Sequence, residues 1–90
     1  MKILIMSQSR RSVYNIDNIS CIFKRNGKLD DDKNFYIDFM INGRDVPYSV
    51  ASYTSEVARD IAFITLLDRI KNSVSETVLH KPEVVLIEIE

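Results

Sequence analysis

Several residue types that build common functional sites are scarce in this chain of 90 residues. It holds one cysteine (Cys21), one histidine (His80) and no tryptophan. A single cysteine excludes an internal disulfide framework and a zinc site made of several cysteines. A single histidine excludes metal motifs that need a pair of histidines. We therefore expect no metal and no cofactor.

The residue patterns of common catalytic sites are missing as well. Neither glycine belongs to a phosphate-binding loop, because Gly27 and Gly43 both stand in predicted turns. His80 lies near a proline, in a predicted loop after the helix, with no serine or cysteine placed beside it. Cys21 lies in the middle of a predicted strand, where we expect a buried, unreactive side chain. The sequence thus predicts a protein that is not an enzyme and has no catalytic residue; a small hydrolase would need a pocket where polar groups converge.

Long apolar runs are also absent. None approaches the roughly 18 residues of a membrane span, and the opening MKILIM is too short for a signal peptide. Two glycines and two prolines are too few for a disordered chain. With 46% hydrophobic residues, the composition predicts a single domain over residues 1–90, located in the cytoplasm and without a membrane partner.

Charge is nearly balanced but unevenly distributed. The net charge is −1, from 12 basic and 13 acidic residues. Residues 1–33 carry a net +3 and residues 34–90 a net −4. A dedicated nucleic-acid-binding domain is usually basic overall, so we interpret most of this charge as an ordinary solvated surface.

Patterns typical of β-strands dominate the first 53 residues. We predict strands at Met1–Ser7, Ser12–Asn15, Ile19–Arg25, Asn34–Ile41 and Arg44–Val50. Asn42-Gly43 predicts a hairpin with a type I′ turn, and Pro47 indicates that the return strand is an edge or is bulged. Asn26–Lys33 is a predicted loop, because it opens with Asn-Gly and its three successive aspartates repel one another. A calcium-binding loop is not predicted, because that pattern needs alternating acidic residues.

A helix is predicted from Glu56 to Val74 or slightly beyond. Thr54 or Ser55 can cap its first turn, where Glu56 complements the helix dipole. One broad apolar face contains Phe63, Leu66, Leu67, Ile70 and Val74, and Arg59 interrupts it. Val57, Ile61 and Ile64 form a second apolar stripe that one sheet cannot cover.

The predicted fold class is α+β. An antiparallel sheet of about five strands packs on the long C-terminal helix, and a terminal strand, Glu83–Glu90, follows Pro82. In this strand Val85, Ile87 and Ile89 share one face. The strand must pair somewhere, either with its own sheet or with another molecule.

More apolar side chains are present than one helix-on-sheet core needs. We therefore predict a non-enzymatic interaction module that forms a homodimer. Six apolar residues of the second stripe and the terminal strand are the candidate partner-binding residues: Val57, Ile61, Ile64, Val85, Ile87 and Ile89.

A nucleic-acid-binding or regulatory module that uses the basic N-terminal half is the alternative that stays open. Tyr14, Tyr36 and Tyr48 could lie on an outer sheet face with Lys24 and Arg44 nearby, as on sheets that stack RNA bases. The sequence pattern of RNA-recognition motifs is absent, so nucleic acid is the less favoured partner.

Short motifs are spread along most of the chain. They lie at Ile5, Ser7 and Gln8; Asn15, Asp17, Asn18 and Ile19; Gly43; Tyr53, Ser55, Glu56 and Ala58; and Pro82 and Glu83. Together they resemble the pattern of a group of small phage- and prophage-type proteins of Gram-positive bacteria. The chain departs from the pattern at Ser9, at the spacing of Ala58 and in the extra VVLIEIE strand. The resemblance implies a prophage setting and no catalytic residue. At the level of fold only, strands followed by a long helix also resemble pleckstrin-homology-like modules.

Overall fold

A computed structural model describes residues 2–28, 32–80 and 84–90. Within them the α+β class, the single helix and the terminal strand are confirmed. The strands are β1 (Lys2–Met6), β2 (Val13–Asn15), β3 (Ile19–Asn26), β4 (Phe35–Ile41), β5 (Tyr48–Tyr53) and β6 (Val84–Glu88), and the helix is α1 (Glu56–His80). A 3₁₀ turn, Ile16–Asn18, is capped by the Asn15 side chain, which accepts a hydrogen bond from the Asp17 amide.

The strands form two sheets of three, so the expected antiparallel sheet of about five strands packed on the helix is only roughly right. One sheet has the order β2-β1-β6 and the other the order β3-β4-β5. β1 pairs antiparallel with β2 but parallel with β6, from Lys2 opposite Val84 to Met6 opposite Glu88. Parallel neighbours need a long connection, and here the second sheet and α1 lie within it. The terminal strand therefore pairs within its own chain.

Both sheets and the helix contribute to one core. α1 contacts β4, β5 and β6, so it bridges the two sheets. The buried apolar side chains are Ile3, Ile5, Ile37, Phe39, Val50, Ala51, Leu66, Ile87 and Ile89. Ile37 and Phe39 of β4 are fully buried in this core.

Cys21 is exposed, which corrects the expectation that it is buried. A bulge between Ile19 and Cys21 adds one residue to β3 opposite β4. An extra residue reverses the alternation of faces beyond it. Ile19 and Ile22 therefore both pack against the core, and Cys21 points to solvent.

The fifth strand begins later than predicted. Its first residue is Tyr48, directly after Pro47, and it continues past its predicted end at Val50 to Tyr53. The Arg44 amide donates to the Ile41 carbonyl, and Gly43 has a φ of +80°. Asn42 does not share this positive φ, so the turn is of type II geometry and not type I′. β5 has one extra residue, Val50, opposite the step from Ile37 to Asp38, and this bulge leaves Val50 and Ala51 both buried.

A turn over residues 7–12 joins β1 to β2 and is hydrogen-bonded to β5 of the other sheet. The Ser7 amide donates to the Ser12 carbonyl, and Arg10 has a left-handed φ of +64°. Gln8 follows β1 and makes two hydrogen bonds to β5. Its amide donates to the Val50 carbonyl, and its side-chain oxygen accepts from the Ser52 amide. These bonds hold the end of β1 beside β5.

Some predictions concern residues that the structure does not describe. These are Met1, residues 29–31 and residues 81–83, and they include Asp30, Asp31 and Pro82. Within the predicted loop Asn26–Lys33, the described residues Gly27, Lys28, Asp32 and Lys33 are irregular, as expected, whereas Asn26 is the last residue of β3. The helix continues past Val74 to His80, so His80 belongs to the helix and not to the loop after it.

Candidate functional site

Three β-branched apolar side chains lie exposed on one side of α1. Val57, Ile61 and Ile64 are 67%, 61% and 60% exposed. At 100° per residue they fall within an arc of about 60°, and Leu66, which is buried, points about 180° away from Val57. We call Val57, Ile61 and Ile64 the outward face of α1. The structure therefore brings together the three helical residues predicted to bind a partner.

The start of α1 is held by local bonds. The Ser55 hydroxyl accepts a hydrogen bond from the Ala58 amide, and the Ser55 carbonyl accepts one from the Arg59 amide. Ser55 is thus the predicted N-cap, and Glu56 stands in the first turn, as expected. These bonds fix where the helix begins and hence which residues face outward.

Arg59 lies on the buried face of the same turn, where the sequence showed it interrupting the apolar residues, but its hydrogen-bond partners were not predicted. Its side chain is only 4% exposed, and its Nη1 donates to the Arg25 carbonyl and to Asn26 Oδ1, both at 3.1 Å. Its Nε donates to Asp60 Oδ1 at 2.7 Å, and the guanidinium lies 5.4 Å from the centre of the Phe35 ring. A buried arginine is tolerated when hydrogen-bond acceptors satisfy its guanidinium. Arg59 therefore ties the helix to the last residues of β3.

This bond has an electrostatic effect on Asp60. The hydrogen bond from Arg59 lowers the pKa of the Asp60 carboxyl, and Lys24 contributes from 3.6 Å. Asp60 therefore carries a stable negative charge at the border of the outward face.

A mostly apolar groove of about 340 Å³ runs beside the outward face. Ile61 and Thr65 of α1 form one wall, and Tyr53 and Ile89 lie across from them. Polar bonds close its edge: the Tyr53 hydroxyl donates to the Glu90 backbone oxygen at 2.5 Å, and Arg69 donates to the Glu88 carbonyl at 3.1 Å. Burial raises the pKa of the Tyr53 phenol, with a further rise from the nearby Glu90 charge. The groove extends the apolar surface around Ile61.

The three candidate residues of the terminal strand lie elsewhere. Ile87 and Ile89 are buried in the core, and Val85 packs against it. Because β6 pairs with β1 of the same chain, Val85 and Ile87 pack within their own domain. Ile89 follows β6 and is also buried, but it lines the groove beside Ile61. None of the three is exposed on the outward face of α1.

A buried polar cluster in the second sheet was also missed by the sequence reasoning. The Asp38 side chain is 1% exposed and accepts from Arg25 Nε at 2.7 Å and from the Ser49 hydroxyl at 2.9 Å. Arg25 also donates to Ser49 and lies over Tyr36, 4.2 Å from its ring centre. The one available signal was a lone aspartate within the apolar strand NFYIDFMI. With both carboxylate oxygens bonded, the cluster is a structural element.

The surface considered for nucleic acid is divided by the fold. Tyr14 packs edge-on against Phe39, with ring centres 5.4 Å apart, on the core side of β4. Tyr36 lies on the opposite side of that strand, under Arg25. Of the basic residues, Lys24 faces Asp60 and Arg10 lies 3.5 Å from Glu88. Tyr14 and Tyr36 therefore do not belong to one base-stacking surface.

Comparison with known proteins yields no relatives: the chain matches no family model, no curated protein and no solved structure. Across residues 2–28, 32–80 and 84–90, no helix has the length and apolar character needed to cross a membrane. In the same described part of the chain, no three His, Cys, Asp or Glu side chains are grouped as they would be to hold a metal ion. The candidate site is therefore defined by its geometry, as an apolar helical surface with a charged border.

Proposed function

We propose that this chain is a small non-enzymatic interaction module that forms a homodimer through the outward face of α1. The observation that carries the proposal is the exposure of Val57, Ile61 and Ile64 on successive turns of one helix. Contiguous apolar patches on soluble domains commonly mark interaction sites. A second copy presents the same patch, and a two-fold dimer covers both at once.

The energetics suit a dimer of moderate affinity. Burying a valine or isoleucine side chain fully contributes about 1.5–3 kcal/mol, and these three are already partly covered. A symmetric dimer buries six of them, against an association cost of roughly 4–15 kcal/mol. The gain and the cost are of similar size, so we expect an affinity that is no more than moderate.

The test is sedimentation equilibrium at tens of micromolar protein. We expect the natural chain to be dimeric, and Ile61→Glu to be a folded monomer, because a carboxylate at the interface must lose its water. The matched control is Val46→Glu, which puts the same charge on an equally exposed apolar residue outside the helix (63% against 61%). This control should remain dimeric.

Two outcomes would contradict the proposal. The first is a natural chain that stays monomeric at these concentrations. The second is an Ile61→Glu variant that dimerises as well as Val46→Glu does. Circular dichroism of each variant establishes that it is folded. Unfolding of Ile61→Glu alone would show that Ile61 belongs to the core, which also contradicts the proposal. The prophage setting indicated by the sequence motifs stays a prediction.

A further inference from the structure

We infer that the second copy lies antiparallel to the first, with helix packed on helix so that Asp60 of each copy faces Lys71 of the other. This inference rests on the proposed dimer and adds its orientation and register. It is carried by the spacing, the exposure and the charges of residues along α1.

The spacing is that of a helix-packing seam. Six residues follow one another at alternating steps of three and four, as the contacting positions of paired helices do: Val57, Asp60, Ile64, Leu67, Lys71 and Val74. Four are apolar and at least 40% exposed, Lys71 is exposed and Asp60 is partly exposed. We call these six the seam. It overlaps the outward face at Val57 and Ile64, and Ile61 flanks it on the side of the groove.

The two charged seam residues select the orientation. In a parallel pair, Asp60 lies beside the partner's Asp60 and Lys71 beside the partner's Lys71, so both contacts are repulsive. In an antiparallel pair with the two-fold axis between Ile64 and Leu67, Asp60 lies beside the partner's Lys71. Like charges in contact discriminate strongly against the wrong arrangement.

The same antiparallel register also pairs the apolar residues. Val57 meets the partner's Val74, and Ile64 meets the partner's Leu67. Moving the register by one heptad places Asp60 against the partner's Ile64 in one direction and Lys71 against the partner's Leu67 in the other, so a charged group meets an apolar side chain in both. One register therefore satisfies all six positions twice, once in each half of the dimer.

The surroundings of Asp60 allow this contact. Its Oδ1 accepts from Arg59, and Lys24 lies 3.6 Å away. A carboxylate has about four acceptor sites, so it can accept a further bond from a lysine. Glu56 lies 3.9 Å from Arg59. The group of Glu56, Arg59, Asp60 and Lys24 is thus neutral in sum and does not repel an approaching cation.

Disulfide mapping tests the orientation. In a Cys21→Ser background, the variant carries Val57→Cys and Val74→Cys, is oxidised at dimer-forming concentration, and is digested for mass spectrometry. Seventeen residues of helix separate the two sites by about 25 Å, so a bond between them within one chain is impossible. We expect a disulfide between Cys at position 57 of one copy and position 74 of the other.

The other outcomes separate this inference from the proposed function. Disulfides joining 57 to 57 and 74 to 74 overturn the antiparallel arrangement while keeping the helix-mediated dimer. Sedimentation of the same reduced variant shows whether it dimerises. A dimer that forms no disulfide overturns the seam as the contact surface. The effect of Ile61→Glu on that dimer then shows whether the outward face is still the interface. A monomeric natural chain overturns both proposals.

Charge reversal tests the register. Lys71→Glu places a carboxylate opposite Asp60 twice per dimer, and we expect roughly tenfold weaker dimerisation. Adding Asp60→Lys to Lys71→Glu should restore most of the affinity. The control Lys28→Glu makes the same charge change at an exposed lysine outside the helix and should leave dimerisation unchanged. Unaltered dimerisation of Lys71→Glu, or no recovery in a folded double variant, would overturn the Asp60–Lys71 contact.

Discussion

The two faces of α1 differ in a way that hydropathy does not anticipate. On the buried face Arg59 is almost fully covered, while on the outward face Ile61, two residues later, is 61% exposed. Arg59 can be buried because the Arg25 carbonyl, Asn26 and Asp60 accept its hydrogen bonds. Ile61 stays exposed because the sheets lie on the other side of the helix. Burial in this domain therefore follows the available partners as much as the apolar character of the side chain.

The largest effect that separates the two faces is expected at two adjacent leucines. Leu66 is 3% exposed and Leu67 is 40% exposed. Leu66→Ala should lower the free energy of unfolding by about 2–5 kcal/mol, because it leaves a cavity in the core. Leu67→Ala should lower it by less than about 1 kcal/mol.

Urea denaturation measures both changes, at a protein concentration low enough to populate only the monomer. Equal losses for the two leucines would show that α1 is not oriented as described. A larger loss at Leu67 would mean that the faces are exchanged.

The next effect concerns the buried arginine. Arg59→Met keeps much of the apolar stem but removes the bonds to the Arg25 carbonyl and to Asn26. Hydrogen bonds of charged groups contribute about 1.5–3 kcal/mol, and we expect a loss of stability of that order. Arg59→Lys should lose somewhat less, since an ammonium keeps the charge but lacks the planar fork that reaches several acceptors.

Thermal or urea unfolding provides the measurement, with Arg44→Met as the control at an exposed arginine outside the helix. If Arg59→Met is as stable as the natural chain, apolar packing alone accounts for the burial at position 59. In that case the contrast between the faces is one of shape, and hydrogen bonding does not determine it.

The smallest effect is a dependence on pH at the border between the faces. Arg59 lowers the pKa of Asp60 in the folded chain below its ordinary value of 3.8. The stabilisation is therefore present above that ordinary value and is lost as the pH falls through the lower pKa of the folded state. Asp60→Asn should remove this part of the acid sensitivity.

Carbon-detected NMR titration of the Asp60 carboxyl checks this directly. In the Arg59→Met variant the pKa of Asp60 should return toward its ordinary value. An Asp60 pKa that is the same with and without Arg59 would contradict the assigned cause of the shift.

Local features of the fold were predictable because neighbouring residues determine them. Ser55 caps the helix by its own hydroxyl, and the turn at Gly43 needs only one residue that tolerates a positive φ. The exposed stripe on α1 was also visible from the helical period alone. The type of turn at Gly43 was not, since it depends on how β5 pairs after Pro47.

Features that depend on distant segments were mispredicted. One bulge next to Ile19 was enough to expose Cys21, and nothing in ISCIFKR marks where such a bulge falls. The partner of the terminal strand was undecided, because Val85, Ile87 and Ile89 suit pairing with any open edge. Only the position of β1 beside that strand makes them core residues.

The sequence by itself determined the class of the domain, the start of the helix and the presence of an apolar stripe opposite the helix's packed side. These follow from side-chain chemistry and from the periods of helix and strand, which are local. The tertiary structure alone decided that the strands divide into two sheets, that β6 runs parallel to β1, and that Arg59 and Asp38 are buried with their bonds made. Those outcomes depend on residues far apart in the chain, because a buried charge or an open strand edge is tolerated only where another segment supplies its partner.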